Sequence, residues 1–100
     1  MSEEVSYLYV ISEKAKDEGP VKLGISNNPD KRLKQLQTAF PGVLEVRYKT
    51  AVPSDKVKIF ERLLHRDMSF LRLRGEWFSM NVQQAIHQVM YIIMRYENEI

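Results

Sequence analysis

The segment Val5–Ser12 (VSYLYVIS) is dense in aromatic and β-branched residues. Such side chains lose rotamer freedom in a helix and fit the pleated surface of a sheet. It predicts a buried strand, and a strand's backbone N–H and C=O groups need a neighbour. The polar stretch Glu13–Pro20, closing on Gly19-Pro20, predicts a turn. Val21–Ile25 then resumes as a second strand, close enough for an antiparallel hairpin with the first.

Helical signals follow. In Ser26-Asn27-Asn28-Pro29 a side-chain oxygen can accept the free N–H groups of a first turn, and proline suits the first helical position because it has no N–H to leave unpaired. A helix is expected to about Phe40, with Leu33 and Leu36 on its apolar face, and Pro41-Gly42 stops it. Val43–Val52 alternates as a third strand. Pro53-Ser54-Asp55 is expected to cap a second helix over 55–71, with Val57, Phe60, Leu64, Met68 and Leu71 near helical spacing. Arg72–Glu76 reads as a basic loop containing a glycine, and Trp77-Phe78 as a short apolar anchor. Asn81 is a plausible cap for a last helix, whose stripe is Val82, Ala85, Ile86, Val89, Met90 and Ile93. The order β-β-α-β-α-α predicts a small α+β domain with a central three-stranded antiparallel sheet flanked by helices.

The 100 residues are expected to form one domain, 1–100, with a motif-bearing core over about 5–80 and a packing helix over about 81–98. No cysteine is present, which excludes disulfides, thiol nucleophiles and cysteine-ligated metal centres. No apolar run approaches the roughly 18 residues of a membrane span, and the acidic start Ser2-Glu3-Glu4 is unlike a basic leader. The net charge of +2 conceals a division: residues 21–78 hold twelve Lys or Arg and six Asp or Glu, a net of +6, between acidic ends. A basic middle suits a polyanion partner, although a merely solvated surface gives the same counts.

Three polar sets stand out. Alternation puts Tyr7 and Tyr9 on one strand face, and Lys22 and Gly24 share a face of the next strand. A glycine inside a strand often marks a place where something comes close; the alternative is that the tyrosines pack in the core while Lys22 reaches outward. Arg32 lies in the first turn of a helix, where unpaired N–H groups already favour anions. Glu61 and His65, four apart, share one helical face, where they could hold a divalent cation or bond to each other.

The order and spacing of these sets resemble the GIY-YIG nuclease domain. Tyr7-Leu8-Tyr9 is followed thirteen residues after Tyr9 by Lys22-Leu23-Gly24, ten residues after Lys22 by Arg32, and then by a helical Glu61. The variant Tyr-x-Tyr, Lys-x-Gly-x-Ser-Asn-x-Pro-x-Lys-Arg-Leu-x-Gln-Leu-Gln, then Glu-x-x-x-His and Gly-Glu-Trp-Phe, is similar to that family's phage-derived branch over residues 5–80. The resemblance implies a divalent-metal-dependent DNA endonuclease acting in the cytoplasm of a bacterium or phage-infected host. In it Tyr9 closes the first motif, Lys22 stands where tyrosine usually opens the second, and Gly24 matches the motif glycine. Arg32 takes the place of the helix arginine and Glu61 that of the metal-binding glutamate. His65, Glu76 and Trp77 belong to the branch's own signature. Asn81 is the nearest candidate for the asparagine many members carry after the glutamate helix, and reads equally well as a cap.

On that resemblance Tyr9 and Lys22, with Tyr7 beside them, would orient and deprotonate a water, and Arg32 would clamp the scissile phosphate. Glu61 would hold a single Mg²⁺ or Mn²⁺, and His65 would position the water or bind a phosphate. Lys31, Lys34, Lys58, Arg62, Arg66, Arg72 and Arg74 would hold double-stranded or branched DNA in a salt-dependent way. Two alternatives stand beside it: a degenerate module that binds DNA without cutting, and a protein-interaction domain. The apolar run Met90–Met94 is read as packing across the sheet or as a homodimer seam. No base-reading element is recognisable, so choice of target would fall to a separate protein, to oligomerisation or to the shape of the nucleic acid.

Overall fold

The computed structural model describes residues 4–99, so Ser2 and Glu3 of the acidic start lie outside the described residues. Strand β1 (Val5–Glu13) and strand β2 (Val21–Ser26) form the expected hairpin, with Tyr9 opposite Gly24 and Ile11 opposite Lys22. Helix α1 (Pro29–Gln37) leads to strand β3 (Leu44–Pro53), which pairs antiparallel with the other edge of β1. Helix α2 (Ser54–Asp67) and a 3-10 turn (Ser69–Leu71) precede two short strands, β4 (Arg72–Arg74) and β5 (Trp77–Phe78), and helix α3 (Val82–Tyr96) ends the domain. The fold is a small α+β domain, as the sequence predicts.

The sheet holds five strands among the described residues, in the order β3-β1-β2-β5-β4, and not three. The segment read as a loop and an anchor is a hairpin turning at Gly75, whose φ of +58 suits glycine. Its strands are too short to show an alternation, and they exist because β2 offers a free edge. Val21 pairs with Phe78 and Lys22 with Trp77, and Leu23 N–H donates to Glu76 O at 3.0 Å. Both expected helix ends move inward. The first helix stops at Gln37 and the second at Asp67, where Met68 caps it and Leu71 falls in the 3-10 turn.

β1 lies centrally and is covered on both faces. On one, Leu8, Val10, Val21, Leu23 and Phe78 meet Val57, Phe60 and Leu64 of α2 and Ala85, Val89 and Ile92 of α3. On the other, Tyr9, Ile11 and Leu44 meet Leu33 and Leu36 of α1, with Phe40 and Trp77. Among the described residues no helix is long and apolar enough to cross a membrane. In α3 the core stripe runs through Ile92, whereas Met90, assigned to it from spacing, is exposed together with Tyr91 and Met94. The apolar run thus divides between sheet packing and an outward face.

Local chemistry explains the helix starts. Asn28 accepts from Lys31 N–H at 3.2 Å, and Pro29 opens α1. The expected cap at Pro53-Ser54-Asp55 is not formed: Pro53 holds the cap position without a side-chain bond, and the Ser54 hydroxyl lies 2.8 Å from that of Ser6. That serine ties α2 to β1 instead. Asn81 forms a full capping box with Gln84, accepting at 2.7 Å from its N–H while its own N–H donates to the Gln84 side chain at 3.0 Å. Asn81→Ala is expected to lower unfolding stability by about 1 kcal/mol, and Asn81→Ser to restore most of it. Urea denaturation measures this, and an unchanged midpoint in Asn81→Ala would show that the box contributes nothing.

Candidate active site

Where β5 ends, β2 continues as an edge, and there side chains from both sides of the sheet converge. Tyr9 comes from β1, Lys22 and Gly24 from β2, Arg32 from α1, Glu61 from α2 and Glu76 from the β4–β5 turn. The glycine makes the convergence possible. A Cβ at Gly24 would lie 2.6 Å from Tyr9 Cζ, closer still to its hydroxyl, and 3.0 Å from Glu76 Oε1. The phenol and the carboxylate occupy the space a side chain would need.

Lys22 is 8% exposed. Its Nζ lies 3.3 Å from Glu76 Oε1 and 5.8 Å from the centre of the Trp77 ring. A nearly buried ammonium needs such a partner. The resemblance gives Glu76 only as part of the branch's signature, and the structure sets it in the middle of the cluster. The signal available was Gly75-Glu76, a glycine turn delivering a carboxylate just before an apolar anchor.

Glu61 is the unbalanced group. Its Oε2 is the buried side-chain polar atom left without a hydrogen-bond partner among the described residues. Burial, then the nearby Glu76 carboxyl, push Glu61 up to about 7, and Lys22 offsets this in part. Burial also raises Tyr9, with Arg32 pulling the other way and Glu76 adding to the rise. Tyr9 therefore keeps its proton at neutral pH. The notch holds one ammonium against two carboxyls, and Glu61 is left to carry the imbalance.

His65 lies one turn after Glu61 on α2. Its Nε2 is 2.9 Å from Leu23 O, and a carbonyl only accepts, so Nε2 carries the proton and donates. The ring also leans on Phe78, with centres 5.1 Å apart. His65 thereby fastens α2 to β2 and sets the height of Glu61 over the notch. Tyr7 lies beside the cluster under Lys49, whose Nζ is 5.7 Å from the ring centre.

The basic residues divide by position. Lys31 and Lys34 are exposed on α1 with Arg32 between them, Lys58 is exposed one turn before Glu61, and Arg72 and Arg74 are exposed on β4. Arg62 and Arg66 instead line a separate groove with Ile59, Leu63 and Tyr96, where Arg66 bonds Asp67 at 3.0 Å and Tyr96 at 3.3 Å. The structure does not bring those two to the notch. Phe40, which sequence reasoning placed only at a helix end, stacks on Trp77 with centres 5.9 Å apart.

The raised Glu61 makes stability depend on pH. Between 4.5 and about 7 the folded chain holds a proton that the unfolded chain has lost, so this contribution is full below 4.5 and lost as pH rises through about 7. Glu61→Gln is expected to flatten the decline between pH 5 and pH 8 and to be more stable than the parent at pH 8, by on the order of 2 kcal/mol. Urea midpoints at the two pH values test this, and parallel slopes in parent and variant would refute it. Gly24→Ala is expected to displace Tyr9 or Glu76 and lose on the order of 2 kcal/mol in the same assay.

Comparison with known families places this arrangement. No curated protein and no solved structure matches the chain. The T5orf172 domain matches residues 6–95, which takes in all three helices nearly to the end of α3 and every residue of the notch. The chain belongs to the T5orf172 domain family, a phage-associated domain of nuclease-like type.

Proposed function

We propose that the protein is a divalent-metal-dependent endonuclease of the GIY-YIG type that hydrolyses phosphodiester bonds in DNA. The observation that carries this reading is the buried, unpartnered Glu61 Oε2, set against the Lys22–Glu76 pair and beside Tyr9 and Arg32. Family membership supports a nuclease-like or DNA-binding role in general, and the notch supports cutting in particular.

The donor chemistry fits Mg²⁺ or Mn²⁺. Hard cations take carboxylate oxygens and keep several waters, so one or two carboxyls suffice. Glu61, with its unpartnered Oε2, and the neighbouring Glu76 are the residues that would hold such an ion. Bound there, the ion would supply Lewis-acid stabilisation of charge on the phosphate and the leaving oxygen.

This chain's own side chains would do the rest. Arg32, near the start of α1 and in reach of the Tyr9 hydroxyl, clamps the scissile phosphate with a planar pair of donors. Tyr9 stays protonated, so its hydroxyl orients the attacking water by hydrogen bonding. Lys22, locked between Glu76 and Trp77, contributes fixed positive charge where negative charge develops. His65 acts through Glu61 by holding α2 in place. Lys31, Lys34, Lys58, Arg72 and Arg74 grip the strand chiefly through its phosphates.

Supercoiled plasmid and branched or single-stranded DNA, incubated with Mg²⁺, Mn²⁺ or EDTA, test this. Cutting is expected with metal alone, and Arg32→Ala is expected to lower its rate about 100-fold or more. Glu61→Gln should retain DNA binding and lose cutting. A folded protein that binds DNA but cuts no substrate with any metal would leave a binding module in place of the enzyme. Independently of activity, millimolar Mg²⁺ is expected to raise the melting temperature of the parent at pH 8 and leave that of Glu61→Gln unmoved, because an ion that binds only the folded state stabilises it.

A further inference from the structure

Next to the notch lies a cleft that the cutting reaction as described does not use. It is lined by Glu13, Pro20, Phe40, Leu73, Arg74 and Trp77 and encloses about 290 Å³, near the lower end of ordinary ligand sites. Phe40 and Trp77 lie stacked with an interplanar angle of 20°. Leu73 is 58% exposed at the rim, so the core does not account for it. Arg74 pairs in register with Trp77 across the β4–β5 hairpin.

We propose that this cleft is the subsite for a single unstacked nucleobase of the DNA strand held in the notch. The inference rests on the nuclease reading and adds the substrate class: DNA with an unpaired base near the scissile phosphate. Four observations point to a base. The cleft combines two aromatic side chains, stacked on each other, with an exposed aliphatic one, an apolar lining against which a base packs without regard to sequence. A guanidinium and a carboxylate stand at its edge, and a nucleobase edge offers acceptors and exocyclic amino donors to match. Its volume suits one ring system. Trp77 also joins it directly to the site, because the Lys22 ammonium near its ring is the one paired with Glu76. A backbone clamped at Arg32 would therefore bring a neighbouring base past Trp77. In a continuous duplex that base is stacked and paired, and unstacking it carries an energetic cost. A single strand, bulge or branch point carries no such cost.

Trp77 is the single tryptophan of the chain, so its emission reports on the cleft and on the wall it shares with the notch, and the cleft variants Phe40→Leu and Leu73→Ser separate the two. The whole protein is titrated in EDTA, without cutting, with a single-stranded oligonucleotide and with its blunt duplex, while anisotropy of labelled DNA measures binding separately. The single strand is expected to quench Trp77 at saturation at least about twofold more than the duplex. Phe40→Leu and the surface variant Leu73→Ser are each expected to weaken single-strand binding about fivefold and leave duplex binding unchanged. Equal quenching by strand and duplex, or binding of both DNAs with no quenching, overturns the proposal, as does unchanged single-strand affinity in Leu73→Ser. Metal-dependent plasmid cutting without strand-selective quenching sinks the subsite and leaves the nuclease. Selective quenching without cutting sinks the nuclease and leaves the subsite on a binding module.

Discussion

Gly24 has no side chain, and the Tyr9 phenol and the Glu76 carboxylate fill the space beside it. That close approach lets β1, β2 and the β4–β5 turn bring a phenol, an ammonium and a carboxylate together at one sheet edge. It also needs the sheet to be wider than its three long strands. Without β5 paired to Val21 and Lys22, Glu76 would hang from a loop and Lys22 would lose its partner. The small hairpin is therefore part of the site as well as of the core, to which it gives the fully buried Phe78.

The electrostatics follow from this geometry. An ion pair removed from water is held only when its remaining valences are met, and a further buried charge beside it is unfavourable. Lys22 and Glu76 satisfy each other, and Glu61 arrives as a second carboxyl whose buried Oε2 has no hydrogen-bond partner among the described residues. A protein selected for stability alone would place an amide or an apolar side chain there. His65 instead holds α2 where Glu61 must meet Glu76. A buried carboxyl kept without a partner by the elements that support it is the kind of perturbed group that clusters at functional sites.

What was legible in the sequence is what local chemistry dictates. Asn28-Pro29 and Asn81 announce helix starts because capping is settled within four residues, and Val5–Ser12 announces a strand by side-chain shape. The order of Tyr9, Lys22, Gly24, Arg32 and Glu61 was readable as a pattern, and the fold does gather them. Phe40 was not readable as a site neighbour, and Glu76 only as part of the Gly-Glu-Trp-Phe signature, because each gains its place from a partner far along the chain: Trp77 for the one and Lys22 for the other. The hairpin was missed for the same reason. A two-residue strand such as Trp77–Phe78 has no period, and only the free edge of β2 defines it. Ser54 shows the converse error, since a good capping residue is taken by the tertiary contact with Ser6.

The basic middle also changes meaning once it is folded. Arg47 bonds Ser12 and pairs with Asp17 and Glu45, Lys49 with Asp30, and Arg66 with Asp67. Those cations brace the turn, the sheet edge and α2. Lys31, Lys34, Lys58, Arg72 and Arg74 enter no ion pair with a described residue, and α1, the start of α2 and β4 carry them on the elements that supply or border the notch. The field available to a polyanion is thus smaller than the sequence count and more focused. Charge of that kind sets where a phosphate backbone settles and how steeply salt releases it, and it carries no sequence information. On the proposed reading, the shape of what the notch admits is one source of selectivity. There a one-ring cleft beside a phosphate clamp would distinguish an unstacked base from a stacked one, a distinction of structure that needs no reading of sequence.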